Sequence, residues 1–186
     1  YTGAGRFLRP LLLCLHRGAR MNHTFEETCC FTGHRASRLP WGDDESDPRC
    51  AALKARIYDA IESLYEAGVR RFICGMAMGS DTYFAEAVLR LREKHPDVCL
   101  TAAIPCLDQA GHWRAAMRRR YEMLCASADE RVVIASSYTF DCMERRNRYM
   151  VENSKYVLMY YTGGTGGTFN TARMALKMGR ELIDLT

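Results

Sequence analysis

Short runs of β-branched, aromatic and thiol-bearing residues alternate along this chain with longer segments whose apolar positions recur every three or four residues. That is the pattern of strands exchanging with amphipathic helices. Residues 28–33 predict a first strand, followed by a polar stretch, residues 34–47, that carries Pro40 and Trp41. Asp47 is placed to cap a helix whose Pro48 falls in the first turn, where a missing N–H costs nothing. Leu53, Ile57, Ile61 and Leu64 give that helix one apolar stripe, and Gly68 closes it. The unit then repeats. Residues 70–74 predict a strand, residues 81–94 a helix with Phe84, Val88 and Leu91 turned inward, and residues 98–104 a third strand stopped by Pro105. Trp113, Met117, Tyr121 and Leu124 mark the apolar stripe of the next helix. Residues 131–134 predict a strand, 141–153 a helix, 156–161 the fifth strand, 168–178 a helix closed by Gly179, and 182–185 a sixth strand.

Strands and helices in this alternation join by right-handed crossovers into a parallel sheet covered on both faces. The expected fold is therefore α/β, a Rossmann-like three-layer sandwich with a mainly parallel sheet of about six strands. A length of 186 residues with 48% hydrophobic and 26% charged positions suits one such core. The expected domain spans residues 21–186. Residues 1–20 have neither helical nor strand period, and their apolar stretch falls short of the roughly 7–15 residues of a secretory leader. They are read as a non-native or disordered tail outside the fold.

The excess of 26 basic over 22 acidic residues invites a nucleic-acid reading. It dissolves on inspection, because Arg6, Arg9, Arg17 and Arg20 supply all of it and the two signs balance from Met21 onward. Arg118-Arg119-Arg120 with Tyr121, and Arg145, Arg146 and Arg148 with Tyr149, are the local clusters that could hold a strand of DNA. Consecutive arginines on a helix point in different directions, so these read as solvated faces. Nine cysteines are an odd number without CxxC spacing, which indicates reduced thiols and a cytoplasmic location rather than a disulfide framework. No apolar run approaches the roughly 18 residues of a membrane span, so no membrane partner is expected. His34, His95 and His112 read as isolated from one another and from cysteine at ligand spacing, and no metal site is expected. Cys29 and Cys30 on one strand should point to opposite faces, and Cys106 reads as a small loop residue.

In a parallel sheet every strand's carboxyl end opens on one edge, where ligands bind at the point at which strand order reverses. Three of the loops there are unusual. The first reads Phe31-Thr32-Gly33-His34-Arg35, the second runs from Gly75 through Gly79 and Ser80 to Asp81, and the third holds Gly163, Gly164, Gly166, Gly167 and Thr168. Glycines at strand-to-helix junctions let backbone N–H groups approach an anion, and the helix behind adds its partial positive charge. All three loops are expected to surround one crevice that holds a phosphate. Thr168 would offer a hydroxyl; Arg35 and His34 would offer donors and positive charge. No GxGxxG or Gly-Lys-Ser/Thr pattern is present, which argues against a dinucleotide dehydrogenase or a P-loop ATPase. Asp81 reads either as a first-turn acid or as an acceptor for a ribose hydroxyl. Glu86 lies about 140° from Asp81 around a helix stepping ~100° per residue, so the two do not form an evident acid–base pair. On these grounds a Gly79→Val change is expected to remove ligand binding and spare the fold.

These markers, with Ala85-Glu86, Ile104-Pro105, Trp113 and Arg146-Asn147, resemble the YpsA-like branch of the SLOG superfamily, which unites the DprA/Smf proteins with the lonely-guy (LOG) enzymes. The resemblance covers nearly all of the chain beyond the tail. It implies a pocket for a nucleotide or nucleotide-derived ligand, such as a nucleoside phosphate, NAD or ADP-ribose, between the Gly79/Asp81 and the 163–168 loops, with Arg146 and Asn147 beside it. Homodimerisation, and a regulatory role in cell-envelope or division processes, are family-level expectations. The LOG enzymes cleave N-glycosidic bonds of nucleotides with a Pro-Gly-Gly-x-Gly-Thr motif followed by acidic residues. Here the proline is missing, and Phe169, Asn170 and Thr171 follow. That departure counts against hydrolysis, for which Asp81 and Glu86 are the candidate carboxylates. The expected function is a cytoplasmic sensor of a nucleotide-like ligand, with hydrolysis second and DprA-like binding of single-stranded DNA third.

Overall fold

The computed structural model describes residues 24–186 and the backbone of a two-residue strand, Leu15–His16. The sheet has the order β1-β5-β4-β3-β2-β6-β7. Its strands are β1 (Leu15–His16), β2 (Thr28–Gly33), β3 (Arg71–Cys74), β4 (Cys99–Cys106), β5 (Glu130–Ala135), β6 (Tyr156–Tyr160) and β7 (Glu181–Asp184). The last six run parallel, as the alternation of strand and helix requires. β1 pairs antiparallel with β5 at the edge. It falls within the segment read as a tail; the rest of that segment lies outside the described residues.

Among the described residues five α-helices cover the sheet: α1 (Pro48–Glu66), α2 (Ser80–Lys94), α3 (Ala115–Ser127), α4 (Cys142–Glu152) and α5 (Gly167–Lys177). Asp47 caps α1 as its position predicts, its side chain accepting the Arg49 N–H at 2.8 Å. Cys29, Phe31, Phe72 and Leu100 face α1, α2 and α3. Cys30, Ile73, Ala103 and Val157 face α4 and α5. The strand period of two thus sends Cys29 and Cys30 to opposite layers, and the Phe31 and Phe84 rings stack at 4.8 Å to tie β2 to α2.

Most boundaries fall within one residue of the sequence reading, and two depart further. β4 continues through Pro105 to Cys106. Its neighbour β3 ends opposite Ala102, so past that point β4 is bordered by β5 alone and a residue without an N–H is tolerated, as on an edge. α3 begins at Ala115, which leaves Trp113 in the preceding loop, half-buried and edge-on to Tyr121 at 5.2 Å. Its spacing fits the helical stripe, but the residue precedes the helix.

The topology places the site. β2 pairs with β3 on one side and β6 on the other. The chain winds outward from β2 to β5, then returns across the opposite face through α4 to β6. The strand order reverses between β2 and β6, and the crevice of such a sheet opens there.

Candidate functional site

A cavity of about 460 Å³ opens at the carboxyl ends of β2 and β6, within the ~300–1,000 Å³ usual for small-molecule sites. Its walls are the end of β2 with the loop that follows, the β6–α5 loop, and the first turns of α4. Of the expected residues, Gly33, His34, Arg35, Asp81, Arg146, Asn147, Gly164, Gly166, Gly167 and Thr168 line it. Gly75, Gly79, Ser80 and Gly163 do not.

The second loop is a brace beneath the first. Ser80 is fully buried, and both its backbone N–H and its hydroxyl donate to the His34 carbonyl, at 3.2 and 2.8 Å. Gly79 has φ +95°, and a Cβ there would lie 2.4 Å from the Ala36 backbone nitrogen, so two backbones meet where no side chain fits. Gly75 makes room for Arg146: a Cβ at Gly75 would stand 2.1 Å from the guanidinium, which donates to the Gly75 carbonyl. Ala77 and Asp81 are the parts of this loop and of α2 that reach the cavity.

His34 has a role opposite to the one expected. Its Nε2 accepts the Thr162 backbone N–H at 3.0 Å, joining the first loop to the third. Burial, and then the positive charge of Arg38, lower its pKa from 6.5. It is therefore a neutral strut and not a cationic donor. Thr168 is likewise committed, its hydroxyl donating to the Gly33 carbonyl at 2.9 Å. What α5 does offer is its open end. Its N-cap is Gly166, which has no side chain to satisfy the first-turn N–H groups. Gly167 and Thr168 of that turn lie on the cavity wall, so the helix presents donors and a partial positive charge there.

Arg38 was missed in the sequence. Arg35 caps, and Arg38 ends, the short 3-10 turn Ala36–Arg38. At 3.0 residues per turn, positions three apart eclipse, so Arg35 and Arg38 share a face. The Arg-x-x-Arg spacing after the first strand was the available signal. Arg38 Nη1 donates to the Thr165 carbonyl at 2.5 Å, and its guanidinium lies beside Gly166.

Arg146 is buried on α4. Its Nε donates to Asn147 Oδ1 at 2.8 Å and its Nη1 to the Gly75 carbonyl, while among the described residues Nη2 has no acceptor. Burial lowers its pKa, opposed by the nearby Asp81 charge. Asp81 is buried too and accepts the Ala77 N–H at 3.1 Å. Burial raises its pKa; Arg146, the Ala77 N–H and Arg35 pull the other way. The cavity wall therefore carries three guanidiniums, Arg35, Arg38 and Arg146, against one carboxylate.

Glu86 stands outside the site. Arg120 holds it bidentately, at 2.7 and 2.8 Å, and also bonds Glu45. Cys106 is buried as the last residue of β4 rather than placed in a loop, and desolvation pushes its thiol up to about 12. Among the described residues no group of three or more histidine, cysteine or acidic side chains could hold a metal ion, and no helix is long and apolar enough to cross a membrane.

Similarity to known proteins agrees with this architecture. The chain is 28% identical over 151 residues to the SPbeta prophage-derived protein YoqJ of Bacillus subtilis, covering 73% of this chain and 88% of YoqJ. Among solved structures it is similar to DprA from Streptococcus pneumoniae, with TM-score 0.59 and 17% identity over 86% of this chain. It is also similar to the single-stranded-DNA-binding DprA from Helicobacter pylori, with TM-score 0.59 and 15% identity over 87% of this chain. At these identities the DprA likeness concerns the fold, and the chain spans only 50% and 65% of those two proteins. The YpsA family model, described as the YspA SLOG family, matches residues 29–181, and the chain belongs to that family.

Proposed function

We propose that this protein binds a nucleotide or nucleotide-derived ligand by its phosphate, as a cytoplasmic sensor or regulatory protein. One observation carries the reading: the uncapped N-terminus of α5 and the paired guanidiniums of Arg35 and Arg38 converge on one cavity at the reversal of strand order. A helix N-terminus favours a phosphate through its free N–H groups and its dipole, and a guanidinium can fork onto the same oxygens.

The test is thermal unfolding with a panel of nucleoside monophosphates, NAD, ADP-ribose and the matching bare nucleosides, with free base followed in parallel. A ligand at one hundred times its Kd adds about 2.7 kcal/mol, worth roughly 5–10 °C for a chain of this size. Stabilisation by the phosphorylated compounds and not by the nucleosides is the expected result. Equal effects of both, or none of either, overturn the phosphate reading.

One observation favours N-glycosidic hydrolysis as a second reading: Asp81 places a carboxyl with a raised pKa on the cavity wall. Catalytic base release that disappears in Asp81→Asn would establish it. Single-stranded DNA binding has less support, because Arg120 of the arginine run is occupied by Glu45 and Glu86.

A further inference from the structure

A second hollow of about 80 Å³ adjoins the first. It shares Arg35, Ala77, Met143 and Arg146 with the larger cavity and adds Met78, Gln109 and Trp113. Gln109 Nε2 donates to the Met76 carbonyl at 2.7 Å, which fixes the orientation of the amide. The remaining atom, Oε1, is buried without a hydrogen-bond donor. A buried acceptor left unpaired is costly and calls for a partner. Met76, whose carbonyl Gln109 holds, has φ +55°, a conformation non-glycine residues adopt rarely. The strained turn and the orphan oxygen thus belong to one arrangement beside the cavity. Trp113, held edge-on by Tyr121, supplies a broad ring, and the thioethers of Met78 and Met143 adapt to a planar ligand.

We propose that this annexe is the base subsite of the ligand. It takes a planar heterocycle against Trp113 and, with the side chains that cover Gln109 Oε1 displaced, reads an exocyclic amino group through that oxygen. The inference rests on the nucleotide reading above and deepens it to a class: nucleotides whose base carries an amino group. The annexe alone is smaller than the ~150 Å³ cavity that admits a benzene ring, so the heterocycle must also occupy the border with the larger cavity. That border is the contact of Arg35 Nη2 with Met143 Sδ at 4.0 Å. Arg35 is exposed, and its side chain makes no other hydrogen bond or ion pair among the described residues. Its side chain is free to swing onto the phosphate, and in doing so it joins the two compartments.

Calorimetric titration of the full chain with AMP, IMP and ribose 5-phosphate tests this, with CMP and UMP as the pyrimidine pair. In at least one pair the amino-bearing base is expected to bind about tenfold tighter than its oxo counterpart. Gln109→Met should remove that preference without changing ribose 5-phosphate binding. Equal affinities within both pairs overturn the base subsite in the unaltered protein, whatever the variants do to folding. A preference that survives Gln109→Met in a protein shown folded by its melting curve removes Gln109 from the reading. Should ribose 5-phosphate and all four nucleotides fail to bind, the nucleotide reading itself falls.

Discussion

His34 Nε2 accepts the Thr162 backbone N–H at 3.0 Å, and with the Arg38 bond to the Thr165 carbonyl it holds the loop after β2 to the loop after β6. Protonation would replace the acceptor with a donor and set two N–H groups against each other. Because the folded-state pKa lies below the ordinary 6.5, the unfolded chain takes up the proton first. The stability due to neutral His34 is therefore full above pH 6.5 and declines as pH falls below it. Asp47, held at about 2 by Arg49 from an ordinary 3.8, loses its contribution only at lower pH. Denaturant unfolding between pH 7 and 5 should show the loss, and His34→Gln, whose amide oxygen can still accept, should flatten it. An unchanged slope in that variant would assign the effect elsewhere.

Gly79 leads to a prediction opposite to the one its sequence suggests. A side chain there must adopt φ +95° and would stand 2.4 Å from the Ala36 nitrogen. Strain and overpacking together put the cost of Gly79→Ala at roughly 2–5 kcal/mol. A urea midpoint within error of the parent protein would show that the first and second loops are not in backbone contact.

The sheet was legible because each strand is an apolar run bounded by a helix with its own stripe, and patterning reports both. The strand after Thr28 and the capped helix after Asp47 are local facts of this kind. So was the conjunction of the first and third loops, which follows from topology once the strands are placed. What a linear pattern does not contain is which atom a polar group turns toward. His34 and Thr168 are residue types suited to grip a phosphate, yet both are used to bind loop to loop. Gly79 and Ser80 have the composition of a phosphate loop and support a neighbouring one instead. Arg38 escaped because its alignment with Arg35 depends on a single 3-10 turn that no apolar period announces.

Glu86 provides a control for any claim of catalysis. It is bound by Arg120 away from the cavity, and both side chains are partly exposed, so Glu86→Ala should cost at most about 1 kcal/mol. Ligand affinity should not change. A selective loss of ligand binding or of base release in that variant would place Glu86 at the site after all.

Cys106 should resist alkylation in the folded protein. It is 1% exposed, and its pKa of about 12 leaves almost no thiolate at neutral pH. Mass spectrometry after brief iodoacetamide treatment should find it unmodified until denaturant is added. Rapid modification of the native protein would mean that the end of β4 opens.

Arg38 is the sharpest test of the phosphate reading, because it can be removed without disturbing the core. Its side chain is exposed, and its hydrogen bond in the structure is to the Thr165 carbonyl of the loop it faces. Arg38→Ala should therefore leave stability within ~0.5 kcal/mol of the parent. A hydrogen bond between charged partners is worth about 1.5–3 kcal/mol, so the same variant should weaken a nucleoside monophosphate by roughly tenfold or more. It should leave the bare nucleoside nearly unchanged. Arg38→Lys keeps the charge but not the fork and should recover only part of the loss. If Arg38→Ala weakens nucleoside and nucleotide alike, the guanidinium shapes the loop rather than meeting the phosphate, and the anion must be sought nearer the first turn of α5.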